Sequence, residues 1–204
     1  MTQRIVMTIG HSTHPIERFV ALLVQHGVAL VADVRSVPYS RRNPAYNRES
    51  LDASLERAGI LYGFLGRELG AKATDPAFYE GGRVQYRRLA ASAAFKEGLA
   101  HVLDASRTHR LALMCAEKEP LACHRMLLVA RELEARGVPI LHIHADGHLE
   151  SHADALRRLR ALVGVRESDL LKSQRELDEE AYALQEQRIA YVLPPAPATP
   201  EPSP

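Results

Sequence analysis

LLVQHGVALVADV, Leu22–Val34, changes character at its glycine. The residues before Gly27 form an amphipathic run, and those after it form an apolar run rich in Val and Leu. Gly27 can take the left-handed conformation that ends a helix, and the run beyond it suits a strand buried on both faces. The same phrase recurs in LERAGILYGFL, Leu55–Leu65, and in ELEARGVPILHIH, Glu132–His144, with Gly59 and Gly137 as the stops. Strands from Arg4 to Gly10 and from Arg110 to Cys115 complete five strands alternating with five helices. Such alternation predicts an α/β fold: a mostly parallel sheet of about five strands with helices on its faces, plus a C-terminal helix.

The organisation follows from where this alternation stops. Residues 1–165 are expected to form the α/β domain, and 166–190 a C-terminal helical extension. The charged stretch Glu167–Arg188 reads as a helix with a solvated face, lying against the domain or joining copies into a homo-oligomer. From residue 191 to 204 a Pro-rich tail is expected to be disordered or polyproline-like, because LPPAPATPEPSP holds half of the twelve prolines and builds no core.

Composition removes several function classes. With 204 residues, 46% hydrophobic and 25% charged, the chain fits a soluble globular protein. A formal charge of +1 gives no overall pull toward nucleic acid or membrane, though local patches remain open. No stretch is apolar for long enough to be a secretory leader or a membrane span, so a cytoplasmic protein without a membrane partner is expected. Two cysteines do not make a secreted disulfide framework. In a reducing compartment such a pair is core, metal ligand, or nucleophilic or redox thiol.

Connections from helix to strand are short, whereas those after the second and third strands, Arg35–Asn47 and Gly66–Tyr86, are long and polar. They gather at the carboxyl ends of the strands, the edge where open parallel sheets bind ligands. The residues at those ends are His11 and Ser12, Asp33 and Arg35, Arg67 and Glu68, Cys115 and Glu117, and His144 with Asp146. Both cysteines lie in MCAEKEPLACHR, Met114–Arg125. Cys115 ends a strand, and Pro120 suits the first turn of the following helix, which places Cys123, His124 and Arg125 in its early turns. A thiol near a helix start and close to cations has its thiolate stabilised. Packing is the plain alternative for both sulfurs. The spacing C-x7-C-H-R matches no standard zinc pattern. The stretch HIHADGH adds His142, His144, Asp146 and His148, with His152 one turn further on. The loop DVRSVPYSRRNPAYNRE, Asp33–Glu49, sets Arg35, Arg41, Arg42 and Arg48 among tyrosines, a composition suited to phosphate and bases or simply to a solvated loop. The glycines at 66, 70, 81 and 82 form neither a dinucleotide fingerprint nor a Walker loop.

Taken together, TIGHST (Thr8–Thr13), DVRSVPYSRR (Asp33–Arg42), LGRELGAK (Leu65–Lys72), LMCAEKEPLACHR (Leu113–Arg125) and HIHADGHLESH (His142–His152) resemble the bacterial and archaeal family named domain of unknown function 488. Ala71 stands where a second glycine is more usual. The resemblance implies an α/β fold with a site built from these motifs, and a loose association with nucleic acids. It brings no established reaction.

Three readings of function follow. The first is an enzyme on an anionic, nucleotide- or nucleic-acid-like substrate. Cys115 or Cys123 would be the nucleophile or redox thiol, Glu117, His11 or His124 would handle protons beside Asp33, and Arg35, Arg41 and Arg125 would hold the anion with Ser12, Arg67 and Asp146 nearby. The second is a transition-metal protein using Cys115, Cys123 and His124, or the pair His144 and His148. The third is a non-catalytic nucleic-acid-binding module gripping through the arginine and tyrosine loop. The sequence assigns no cofactor.

Overall fold

Leu111, Ala112, Leu113, Met114 and Cys115 sort the hydrophobic core into two. In the computed structural model, which describes residues 5–194, Leu111, Leu113 and Cys115 join one apolar cluster while Ala112 and Met114 join another. Period-two side chains on a strand covered on both faces require this division. In chain order the elements are β1 (Val6–Gly10), α1 (Ile16–Gln25), β2 (Leu30–Asp33), α2 (Arg48–Glu56), β3 (Leu61–Phe64), α3 (Gly66–Leu69), β4 (Tyr79–Glu80) and β5 (Arg83–Val84). They continue as α4 (Tyr86–Ala91), α5 (Ala93–Ala105), β6 (Leu111–Cys115), α6 (Arg131–Glu134), β7 (Ile140–Ile143), β8 (Leu149–Ser151), α7 (His152–Val163) and α8 (Gln174–Ile189). Gly27, Gly59 and Gly137 have φ of 62°, 71° and 75°, so all three helix stops use the left-handed conformation.

The sheet runs β3-β2-β6-β1-β7-β8. The first five strands in this order are parallel, and β8 returns antiparallel to β7. The α/β expectation therefore holds, with a sixth strand added at the edge. Three residues, Leu149 to Ser151, are too few to show alternation in sequence. Helices α1 and α2 cover one face through Phe19, Leu22, Leu51 and Leu55. The other face is covered by α5, α6, α7 and α8, through residues such as Phe95, Leu133, Leu159 and Leu177.

The segment expected as one loop from Gly66 to Tyr86 contains α3 and the small hairpin of β4 and β5. Helix α8 begins at a capping box, in which the Ser173 hydroxyl accepts from the Glu176 N–H and the Glu176 carboxylate accepts from the Ser173 N–H. Its Leu177, Ala181 and Tyr182 are buried in the same apolar cluster as the sheet. Beyond it, Val84 N–H donates to the Tyr191 carbonyl (2.9 Å) and Leu193 N–H to the Gly82 carbonyl (2.8 Å). Residues 191–193 thus lie along the hairpin. Arg4 of the first expected strand, and residues 195–204 of the proline-rich stretch, lie outside the described residues. Among the described residues no helix is long and apolar enough to cross a membrane.

Candidate metal centre and its pocket

The strand order places β2, β6 and β1 side by side, so Asp33, Cys115 and Gly10 end at one rim. Leaving β6, the chain passes through Ala116–Glu119 into a single 3-10 turn, Pro120–Ala122, whose Leu121 N–H is accepted by the Glu119 carboxylate at 3.3 Å. Cys123 is then extended (φ −139°, ψ 140°) before a π-helical segment, Arg125–Ala130, runs into α6. Pro120 therefore opens a separate turn rather than the long helix, because Cys123 interrupts the helical path. That interruption folds Cys123 back onto Cys115.

Both sulfurs lie 3.0 Å from one oxygen, Glu117 Oε2. The His124 Nδ1 is 3.7 Å from Cys115 Sγ and 3.9 Å from Cys123 Sγ. On the far side of the ring, Nε2 lies 2.9 Å from the Val34 carbonyl, an acceptor only. Nε2 must then carry a proton, and in the neutral ring Nδ1 keeps its lone pair toward the sulfurs. One ligand atom from each of Cys115, Glu117, Cys123 and His124 lies within 4.8 Å of every other. Cys115, Cys123 and His124 are buried, whereas Glu117 stands on an exposed loop and reaches inward with its carboxylate.

The loop under Glu117 is held by backbone contacts. Fully buried Arg125 donates from its guanidinium to the carbonyls of Glu117 (2.6 Å) and Lys118 (3.0 Å). At Gly10 a Cβ would stand 1.8 Å from the Glu117 carbonyl oxygen. Only glycine lets β1 pass so close to this loop.

Charge is divided unequally within the cluster. Burial opposes a thiolate at Cys123, but contact with the Cys115 thiol, the Arg125 charge and His124 bring its pKa well below that of a free thiol. Cys115, in contact with Cys123 and buried, lies well above. Burial also lowers the basicity of His124, yet its contact with Cys123 prevails and raises it. Glu117 is raised by burial and then by the Cys123 charge.

A second layer lies beside this one. Arg35 forks onto fully buried Asp33, with Nε at 2.9 Å from Oδ1 and an Nη at 2.6 Å from Oδ2, and donates to the Tyr46 carbonyl at 2.9 Å. Its other Nη reaches His11 Nε2 at 3.4 Å, and the His11 ring stacks on Tyr46 with centroids 4.1 Å apart. Tyr62 donates to Asp33 at 2.8 Å. The DVRS and TIGHST stretches thus meet here and adjoin the sulfur cluster through Arg35.

Other residues singled out in sequence stand elsewhere. Ser12 has φ 49°, and its N–H donates to the Ala116 carbonyl at 2.9 Å. Arg41, Arg67 and Asp146 are exposed. His144 pairs with Glu150 and His148 with Asp146, each at 2.7 Å, and the two imidazoles stack on one another outside the sulfur cluster. Arg158 links this group to the acidic loop, donating to Glu150 at 2.6 Å and to Glu119 at 2.8 Å. His142 lies in the core, bonded to Thr8 and His152.

A cavity of about 250 Å³ opens over the sulfurs, lined also by Arg35, Lys72, Tyr86 and Tyr191. Lys72 lies over the Tyr191 ring, 4.7 Å from its centroid. Lys72 belongs to LGRELGAK and was within reach of a sequence reading. Tyr191 carried no signal, since only the hairpin contact brings it there.

A family model described as "Domain of unknown function DUF488" matches residues 15–131, from just beyond the TIGHST stretch to the start of α6. The match takes in Asp33, Arg35 and the whole Cys115–Arg125 segment, and leaves out TIGHST and HIHADGH. No curated protein and no solved structure matches the chain.

Proposed function

The chain belongs to the DUF488 family, whose description carries no activity, and we propose that it is a transition-metal protein centred on Cys115, Cys123, His124 and Glu117. One observation supports this above the rest: four donor atoms from four residues lie within 4.8 Å of one another. A tetrahedral zinc ion with bonds of about 2.3 Å to sulfur and 2.0–2.1 Å to nitrogen and oxygen sets its ligand atoms roughly 3.3–3.8 Å apart. The sulfur to Nδ1 distances of 3.7 and 3.9 Å nearly meet this. The sulfur to carboxylate distances of 3.0 Å are shorter, as when an S–H donates to the oxygen, and widen with a small carboxylate movement.

Two supporting features come from around the donors. The imidazole gives its second N–H to a backbone carbonyl, the arrangement that fixes a metal-binding tautomer. Two thiolates and an imidazole select zinc, or another borderline-soft ion, over magnesium or calcium. Three donors are buried and the fourth hangs from an exposed loop beside a cavity. Four protein donors close a tetrahedral site, so an ion here meets a substrate where the loop-borne Glu117 yields its place.

A second reading has one observation in its favour. Cys123 lines the cavity with its sulfur 3.5 Å from the Arg125 backbone nitrogen, a setting that together with its lowered pKa suits a nucleophilic or redox thiolate. Elemental analysis of untagged protein, purified without chelators, separates the two. The metal reading expects about one equivalent of zinc, lost in Cys123→Ser and restored to the wild type after stripping. Metal far below one equivalent, with no uptake on reconstitution, overturns it and leaves the thiol reading standing.

A further inference from the structure

Beyond the cavity over the sulfurs, a second one of about 640 Å³ lies on the other side of Glu117, lined among others by His14, Arg42 and Lys118. The two cavities share Ala116 and Glu117 as a common wall. Among the described residues, Glu117 is the sole carboxylate lining either of them, whereas four cations, Arg35, Lys72, Arg42 and Lys118, line the pair. The wall is fixed in backbone, and its carboxylate is held by the two sulfurs rather than by a cation. Arg125 and Gly10 hold the main chain of Glu117, but among the described residues no arginine or lysine pairs with its carboxylate.

We infer that Glu117 is an exchangeable ligand that keeps the place of a phosphate monoester, and that this ester replaces it when the two cavities join. The inference rests on the metal reading above. Two thiolates cancel the charge of a divalent ion, so a site without Glu117 presents a neutral centre beside three cations, Lys72, Arg42 and Lys118, the charge of Arg35 being already met by Asp33. A phosphate monoester, close to a dianion at neutral pH, answers that charge better than a carboxylate does. One oxygen would take the position of Glu117 Oε2, and the organic part would lie toward Arg42 and Lys118 in the larger cavity.

Cobalt(II)-loaded protein tests this, with inorganic phosphate and acetate as probes and the visible cobalt bands as readout. Phosphate should shift the bands saturably, with acetate much weaker. Glu117→Gln should keep cobalt on the three buried donors and bind phosphate about tenfold more tightly, because a charged competitor is gone. The double variant Arg42→Ala/Lys118→Ala, both sites exposed, should fold normally and bind phosphate about tenfold more weakly. It decides alone if Glu117→Gln does not fold. Bands that ignore phosphate, acetate acting as strongly as phosphate, or a double variant with unchanged affinity would each overturn the inference while cobalt binding stands. Absence of the thiolate-to-cobalt absorption in the wild type marks instead a failure of the metal centre, and this inference falls with it.

Discussion

Gly10 has no chemistry of its own, yet it sets where Glu117 can stand. Its φ is not positive, so turn propensity does not reveal the need for glycine; the need is the 1.8 Å that would separate a Cβ from the Glu117 carbonyl oxygen. On the metal reading proposed above, Gly10→Ala is expected to push the Ala116–Glu119 loop outward and weaken metal binding by about tenfold or more, the cost typical of disturbed supporting contacts. Competition with a chromophoric chelator measures it, and an unchanged affinity would show that the loop adapts freely. The contrast with Cys115 explains what was legible at this scale. Cys115, Glu117, Cys123 and His124 announce themselves by donor type at a strand end. Gly10 acts only through a contact with a residue distant in sequence. Arg125 is intermediate: its charge is visible, but its fork goes to two loop carbonyls, a destination that no local pattern shows.

Among the elements, α8 differs most from its appearance in sequence. Glu and Gln dominate it, and the apolar stripe is narrow: Leu177, Ala181 and Tyr182, with Gln185 donating to the Leu121 carbonyl at 2.8 Å. A helix with so few apolar residues reads as solvated, because charge on the outer face hides a stripe of small and aromatic groups. In the structure α8 carries weight for the site. Gln185 braces the 3-10 turn before Cys123, and Glu186 accepts from the Tyr86 N–H at 2.7 Å beside the cavity. Leu177→Ala, at a position 3% exposed, is expected to cost about 2–5 kcal/mol by leaving a cavity against the sheet-side core. Urea unfolding followed by circular dichroism gives the value. A loss below 0.5 kcal/mol, roughly the level of an exposed surface change, would mean that α8 is not part of the cooperative core. The helix stops, by contrast, were readable in advance, since each glycine sits between two hydrophobic patterns of different period.

For the molecule as a whole, the alternation of helices and strands was legible but the order of strands was not. β6 lies between β2 and β1, and this placement alone brings Asp33, Cys115 and Gly10 to one rim. Strand order is set by which faces the crossover helices cover, and that depends on contacts between distant segments. Besides His124, the same packing buries three further histidines among the described residues, His11, His142 and His152, each at most 5% exposed. Burial lowers the pKa of His152 to about 4; burial and then Arg35 lower that of His11 to about 4; burial and then His152 hold His142 well below 6.5. In the unfolded chain such groups take up protons near pH 6.5. Stability is therefore complete above that pH and declines as pH falls toward 4, since only the unfolded state gains protons in this window. For a group moved from 6.5 to about 4 the loss reaches about 3 kcal/mol at the acid end. Carboxylates with lowered pKa, such as Glu119 and Glu150, lose their contribution only as pH falls through and below the ordinary carboxylate range. Glu117 and His124, both raised, act in the opposite sense, so the comparison needs a variant that leaves them in place. His152→Gln keeps a polar group between His142 and Tyr182 and removes one titration. Urea midpoints at pH 7.5 and 5 should fall less in this variant than in the wild type, and equal falls in both proteins would show that His152 is not held neutral by the fold.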